Sequence, residues 1–282
     1  MNKPIVIRVA FASLTLVTAW TAFTQQKGGL EPPPPFSLVK VADDLYDIVG
    51  SGGNVAVYVT DEGAIVIDDK FERNFDEIMA NVKKVTDKPV KYLINTHHHG
   101  DHTGGNSKMI AAGVEILLHK NARANMVTGK LPGMSRVTFT DELQVVLGGK
   151  EVQARYFGRG HTNGDAVIFF PARRTIHMGD LMAGSTPLID YPNGGSLVEF
   201  TKTLDAVLKC DFDTVIPGHG AVQTKAELQT YRDNLGKLQA RAREQVRLGK
   251  NREEIGQFMT ANFGWGPGQQ RMSLDGMIAE LK

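Results

Sequence analysis

The chain carries the stretch Thr96-His97-His98-His99-Gly100-Asp101-His102 directly after the apolar run 90–95. The apolar run predicts a buried strand, so the histidines should lie in the loop at its carboxyl end, where α/β folds place their chemistry. A ligand set of one carboxylate and several imidazoles suits zinc, iron or manganese, and it does not suit calcium. The stretch therefore predicts a transition-metal site at a strand end.

The spacing within this stretch indicates two ions. In extended backbone, side chains two residues apart point the same way, so His97 and His99 can bind one ion while His98 points elsewhere. A turn at the following glycine would let Asp101 and His102 face a second ion.

Composition limits the class of protein. The chain has 282 residues, of which 41% are hydrophobic and 22% charged, as expected for a folded domain with a large core. The net charge is +1 and no long basic run is present, so the sequence does not predict nucleic-acid binding. Cys210 is the only cysteine, which excludes an internal disulfide and a thiolate-rich metal site.

The N-terminus predicts export. Lys3 and Arg8 lead into an apolar run at 9–23 that has the length of a signal-peptide core, so residues 1–24 are predicted to be removed. An uncleaved anchor or a frayed helix is the alternative. Residues 25–36 include four consecutive prolines and predict an extended linker. We expect a periplasmic or secreted protein with no membrane span after processing.

The remaining chain, 37–282, predicts an α+β fold. Short apolar runs between turn residues predict strands at 38–41, 45–49, 55–59, 64–67, 90–95, 114–118, 136–140, 142–146, 152–157, 166–170, 175–178 and 214–217. Apolar stripes at helical spacing predict helices at 74–85, 106–112, 121–127 and 197–209. In the C-terminal part 221–282 they predict two more, one that begins at Thr224 and a last one that begins at Asn251. Capping-box patterns begin at Asn74, Ser196, Thr224 and Asn251. Similar halves of this kind predict two facing sheets with helices outside, a four-layer αββα sandwich.

Three later segments place polar side chains where the chain leaves a predicted strand. They are Gly160-His161-Thr162, Gly179-Asp180 and Pro217-Gly218-His219. The neighbouring glycines would let each loop approach an ion closely.

Together with Thr96–His102, these motifs resemble the metallo-β-lactamase superfamily, in the family's order and over most of residues 37–220. The resemblance implies that His97, His99 and His161 hold one metal. It implies that Asp101, His102 and His219 hold a second, with Asp180 bridging both. Relatives with a cysteine ligand carry it at the position of Asp180, so the chain looks more like glyoxalase II and lactonase relatives.

Several other residues receive weaker assignments. We predict structural roles for His119 and His177, positioning roles near the metals for Asp68, Thr162 and Asp165, and substrate contact for Arg159, Tyr191 and Asn193.

The resemblance implies a metal-dependent hydrolase with two zinc ions, iron or manganese being alternatives. Its small-molecule substrate would contain an ester, lactone, thioester or amide bond, with β-lactams among the candidates. Asp101 is the expected catalytic proton acceptor. The alternatives are a mononuclear iron oxidoreductase of the persulfide dioxygenase type, a phosphodiesterase and a non-catalytic metal-binding module. The sequence does not give the oligomeric state.

Overall fold

A computed structural model describes residues 35–282, whose strands form two sheets. The first sheet has seven strands in chain order: β1 (Ser37–Ala42), β2 (Leu45–Val49), β3 (Val55–Val59), β4 (Ala64–Ile67), β5 (Val90–Asn95), β6 (Glu115–His119) and β7 (Val137–Phe139). The second has six strands, also in chain order: β8 (Glu142–Leu147), β9 (Lys150–Tyr156), β10 (Ala166–Phe170), β11 (Thr175–His177), β12 (Thr214–Ile216) and β13 (Gln223–Thr224).

The helices lie in two groups on the outer faces of the sheets. In chain order they are α1 (Phe75–Lys83), α2 (Gly100–Thr103), α3 (Asn106–Ala111), α4 (Lys120–Thr128), α5 (Leu197–Leu208), α6 (Lys225–Arg247), α7 (Arg252–Phe263), α8 (Pro267–Met272) and α9 (Leu274–Leu281). The first group packs on the first sheet, and α5 with the C-terminal helices packs on the second. The predicted α+β, four-layer αββα sandwich is confirmed.

Apolar side chains on both faces of the strands hold the layers together, as β10 illustrates. Its Val167 and Phe169 pack among the helices, whereas Ile168 and Phe170 pack between the two sheets. A strand that is buried on both faces needs such an uninterrupted apolar run. The sequence 166–170 is therefore explained by its central position in the second sheet.

The candidate ligands lie in loops at strand ends. The histidine-rich stretch leaves β5, His161 lies between β9 and β10, Asp180 follows β11, and His219 follows β12. The strands β4 and β5 are parallel, as are β11 and β12, so their carboxyl ends meet at common edges.

Some sequence predictions were wrong or incomplete. Asn74 makes no side-chain cap for α1, because it has helical backbone angles, and Glu77 Oε1 instead accepts from the Phe36 amide at 2.7 Å. The short helices α2, α8 and α9 were not predicted. The proposed signal peptide 1–24 and most of the linker 25–36 lie outside the described residues. Within residues 35–282, no helix is both long and apolar enough to cross a membrane.

Candidate metal centre

The structure brings seven predicted ligands together as two groups of metal-binding side chains. His97, His99, His161 and Asp180 form the first group, and Asp101, His102 and His219 form the second. Within each group, one ligand atom per residue lies within 4.8 Å of every other. Residues up to 122 positions apart in the sequence thus meet at one edge of the sandwich.

The carboxylate of Asp180 lies between the two groups. Its Oδ2 is 3.6 Å from His161 Nε2 in the first group. Its Oδ1 is 3.3 Å from His102 Nε2 and 3.4 Å from His219 Nε2 in the second. One oxygen therefore faces each group, which is the arrangement that a bridging carboxylate requires. Asp101 Oδ2 closes the second group at 3.3 Å from His219 Nε2.

Asp68 positions two histidines of the cluster. It is fully buried, and its Oδ2 accepts from His102 Nδ1 at 2.7 Å and from Thr96 Oγ1 at 2.8 Å. Thr96 Oγ1 in turn lies 3.1 Å from His97 Nδ1. Because Nδ1 of each ring is bonded away from the centre, the Nε2 atoms of His97 and His102 face the cluster, where a neutral ring would offer its lone pair to a metal.

Asp190 and a backbone carbonyl position the other two rings of the first group. Asp190 Oδ2 lies 2.8 Å from His99 Nε2, so the Nδ1 of this ring faces the centre. The carbonyl oxygen of Leu188 accepts from His161 Nδ1 at 2.7 Å, so this ring presents Nε2. The loop 188–190 therefore sets the tautomers of both histidines.

Electrostatics in the second group favour positive charge. Burial opposes the charged form of His102, but Asp180 and Asp68 hold its pKa well above its ordinary value. Burial also opposes ionisation of Asp180, yet His102 and His219 hold its pKa well below the ordinary value. For His219 burial again acts against the charge, but Asp101 and Asp180 raise the pKa to about 9. The carboxylates at this group are therefore stabilised by positive charge, which either protonated histidines or a metal ion would supply.

The first group fits a divalent cation. Its His97 Nε2 is buried and has no hydrogen-bond partner among residues 35–282, and burial holds the pKa of this ring well below its ordinary value. His99 Nδ1 and His161 Nε2 lie 2.9 Å apart, although both present lone pairs. An ion with metal–nitrogen bonds of about 2.0–2.1 Å would satisfy these neutral donors and relieve their mutual repulsion.

Comparison with known proteins agrees with this geometry. The family model described as the metallo-beta-lactamase superfamily matches residues 48–219, which are more than half of the chain and include all seven candidate ligands. The chain belongs to the metallo-β-lactamase superfamily. With the histidine and aspartate cluster, membership of this superfamily supports a metal-dependent hydrolase that uses a divalent ion.

Individual relatives within the superfamily are distant. A hydroxyacylglutathione hydrolase from Crocosphaera subtropica is 32% identical over 94 residues, which cover 33% of this chain and 35% of the relative. The match thus spans about a third of that relative's length. A metallo-beta-lactamase type 2 from Elizabethkingia meningoseptica is 23% identical over 79% of this chain and 92% of its own. The solved metallo-beta-lactamase from Pontibacter korlensis superposes with a TM-score of 0.66 at 20% identity, covering 71% of this chain and 99% of that one.

Other histidines in this superfamily member have local partners. His119 Nε2 donates to the Thr140 carbonyl at 2.8 Å, and its ring stacks on Tyr156. His177 is fully buried, and its Nδ1 accepts from the Gly179 amide at 3.2 Å. His98 belongs to neither of these two groups but forms a third cluster with His99 and Asp190, and its Nε2 lies 3.9 Å from Asp190 Oδ2.

Two predicted positioning residues do not touch the ring that they were expected to hold. Asp165 accepts from the amide of Thr162 at 2.8 Å and also from its hydroxyl, so the pair braces the loop. His161 is held by Leu188 instead. These contacts replace the prediction that Thr162 and Asp165 orient the imidazole directly.

The predicted substrate contacts have partners within the protein. Arg159 forms a two-point ion pair with Glu199, at 2.7 and 3.0 Å. Tyr191 donates its hydroxyl to Glu280 Oε2 at 2.7 Å, and Asn193 Nδ2 donates to Asp190 Oδ2 at 2.6 Å. Asp190, which precedes Tyr191 and accepts from Asn193, was not predicted, because it lies in no recognisable motif.

Proposed function

We propose that the chain is a hydrolase that binds two divalent metal ions, zinc by preference, and cleaves an ester, lactone, thioester or amide bond. The observation that carries this proposal is the Asp180 carboxylate, which directs one oxygen toward each group of ligands. Carboxylates placed in this way hold pairs of metal ions that act together on one substrate.

The proposed ligands follow the two groups. His97, His99 and His161 would hold the first ion, Asp101, His102 and His219 the second, and Asp180 would bridge them. Mixed nitrogen and oxygen donors suit zinc, with iron and manganese as alternatives.

Two bound divalent cations would supply Lewis acidity and a nucleophilic water at neutral pH. The side chain of Asp101 is 27% exposed, so a substrate entering the site can reach it. We assign Asp101 to accept the proton of the attacking water and return it to the leaving group. Asp68 and Asp190 keep the histidine rings in place, so the reacting groups need little reorganisation.

The names of relatives suggest which substrates to test. One relative is named a hydroxyacylglutathione hydrolase and another a metallo-beta-lactamase, so thioesters and β-lactam amides join simple esters and lactones. The chain aligns with about a third of the hydroxyacylglutathione hydrolase, so the thioester specificity in that relative's name is a candidate to test and is not assigned to this chain.

The test combines metal analysis with a substrate screen. Inductively coupled plasma mass spectrometry should find two zinc ions per chain, and a chelator should abolish turnover. Asp180→Asn should lose metal and activity together, whereas Asp233→Asn, at a helix surface, should keep both. Absence of metal-dependent turnover of any ester, lactone, thioester or β-lactam would contradict the proposal.

Other outcomes would favour the alternatives. One iron and no zinc per chain, with oxygen consumption on a persulfide, would indicate an oxidoreductase. Turnover of phosphodiesters alone would indicate a phosphodiesterase, and firm metal binding without any turnover would indicate a metal-binding module. Export remains a prediction, which N-terminal sequencing of protein from the native host would test.

A further inference from the structure

We propose that the cavity beside His219 binds an uncharged part of the substrate and disfavours an anionic one, so neutral esters or lactones are preferred. This inference rests on the proposed function. The cavity has a volume of about 470 Å³, within the range of small-molecule sites. His219 forms part of its wall, so a ligand in the cavity lies next to the metal centre.

The cavity is bounded by two loops and a helix. Met182 and Ser185 come from the loop after β11, and Pro217 from the loop after β12. The amide of Gly184 donates to the His219 carbonyl at 3.3 Å, which ties the two loops together. The third side is the first half of α6, from Glu227 to Asn234.

Charge distribution in the lining is unfavourable for an anion. Among the described residues that line the cavity, none is a lysine or arginine, and the carboxylate of Glu227 is the one acidic group. Met182, Pro217 and Tyr231 supply apolar surface. A carboxylate or phosphate that enters would lose hydration without gaining a lysine or arginine partner, and His219 would be a neutral ligand in the metal-loaded protein.

The N-terminus of α6 is closed to anions by its own sequence. The Thr224 amide donates to Glu227 Oε2 at 2.7 Å, and the Glu227 amide donates to Thr224 Oγ1 at 3.3 Å. The Lys225 amide donates to the Asp213 carbonyl at 2.9 Å. A free helix N-terminus can bind a phosphate or carboxylate, but here the chain supplies its own carboxylate to that position.

The remaining polar groups suit a neutral ligand. The Tyr231 hydroxyl is buried at the wall and has no hydrogen-bond partner within the described part of the chain. Ser185, Thr230 and Asn234 add uncharged donors and acceptors. The exposed Lys237 donates to Asn234 Oδ1 at 3.3 Å but is not part of the lining, and this contact leaves the Asn234 amide nitrogen free. Such groups can pair with an ester carbonyl, a lactone ring oxygen or a hydroxyl.

Matched substrates test the inference on the metal-loaded protein. One pair places the charge on the acyl group, the isohexanoyl and succinyl esters of para-nitrophenol. The other places it on the leaving group, the acetate esters of para-hydroxyacetophenone and para-hydroxybenzoate. In at least one pair we expect kcat/KM to favour the uncharged member by about tenfold or more, the effect of about 1.4 kcal/mol. Equal or faster hydrolysis of both anionic members would overturn the inference.

Variants of α6 assign the preference to this cavity. Thr230→Lys places a cation at the lining and should reduce the preference at least severalfold. Thr230→Gln adds bulk without charge and should retain the wild-type preference. Ala240→Lys adds the same charge at an exposed position on α6 outside the lining and should change nothing. A preference that Thr230→Lys leaves unchanged, or that Ala240→Lys reduces equally, would overturn the assignment.

Ligand binding separates this inference from the proposed function. Isohexanamide and succinamate have the same shape and differ in charge, and saturation-transfer NMR can measure their binding without turnover. Preferred binding of isohexanamide that Thr230→Lys reduces would support the inference even if no substrate were hydrolysed. Preferred binding of succinamate by the wild type would refute it, even in an active hydrolase.

Discussion

Replacing Ser273 by alanine should weaken metal binding at the first group of ligands, although Ser273 is distant from them in sequence. Its fully buried hydroxyl donates to the Ile189 carbonyl and accepts from the Ile189 amide, both at 2.9 Å. The next residue, Asp190, holds His99 Nε2. Alanine leaves two buried backbone groups unpaired, at a cost of about 1–3 kcal/mol for each fully desolvated group. For the two groups together we expect a loss of about 2–6 kcal/mol in stability and a fall in metal affinity.

Because Ser273 acts through the loop, the affinity should fall by less than the 10–100-fold typical when a direct partner of a ligand is removed. Ser135→Ala is the matched control, since Ser135 is equally buried and bonds the carbonyls of Ile116 and Val137 away from the cluster. Urea unfolding of chelator-treated protein gives the stability loss, and competition with a chromophoric chelator gives metal affinity. Equal affinity losses in both variants, or none in Ser273→Ala, would refute the reasoning.

Three further changes have measurable outcomes. Asp68→Asn should lower metal affinity by about 10–100-fold in the same competition assay, because the amide cannot hold His102 as the carboxylate does. Gly53→Ala places a methyl 2.3 Å from His102 Cε1 and should reduce kcat/KM by about 10²-fold, whereas Gly268→Ala, with nothing within 4 Å, should be neutral. Burial raises the pKa of Asp47 from 3.8 to about 7, so the folded state binds this proton more tightly and stability falls as the pH rises between these values. Asp47→Asn should remove much of that fall in urea unfolding measured across this pH range.

Strand positions could be predicted closely because local and tertiary signals agree there. Five strands have the predicted bounds: β2, β3, β4, β5 and β10. In each of them turn residues flank an apolar run, and the sheet buries that run. The start of α1 differs because a tertiary contact replaced a local one. Glu77, expected to complete a capping box, instead accepts from Phe36, 41 residues earlier. The preference of Asn74 for the N-cap position of a helix gave no information about the contact between Glu77 and Phe36.

The candidate ligands were predictable, but the residues that orient them were mostly not. The predicted ligands fall in four segments that follow predicted strands, and each segment contains a glycine. Asp190 contacts His99, 91 residues earlier in the sequence, only through the tertiary placement of the loop before α5. A serine from between α8 and α9, two helices that the sequence did not predict, then holds that loop. These contacts depend on the tertiary fold, and no local pattern encodes them.

The metal chemistry was easier to predict than the substrate because the two depend on different parts of the chain. The family match ends at residue 219, the last candidate ligand, while the α6 residues that wall the cavity, including Thr230 and Tyr231, lie beyond it. The ligands sit at the ends of paired strands, whereas one side of the cavity is a helix surface. In the proposed function, substitutions on that surface would change the preferred charge of the substrate while the candidate metal ligands stay in place. Thr230→Lys should therefore alter the ratio of kcat/KM between charged and neutral esters without altering the metal content, which joint metal analysis and kinetics on one preparation can establish.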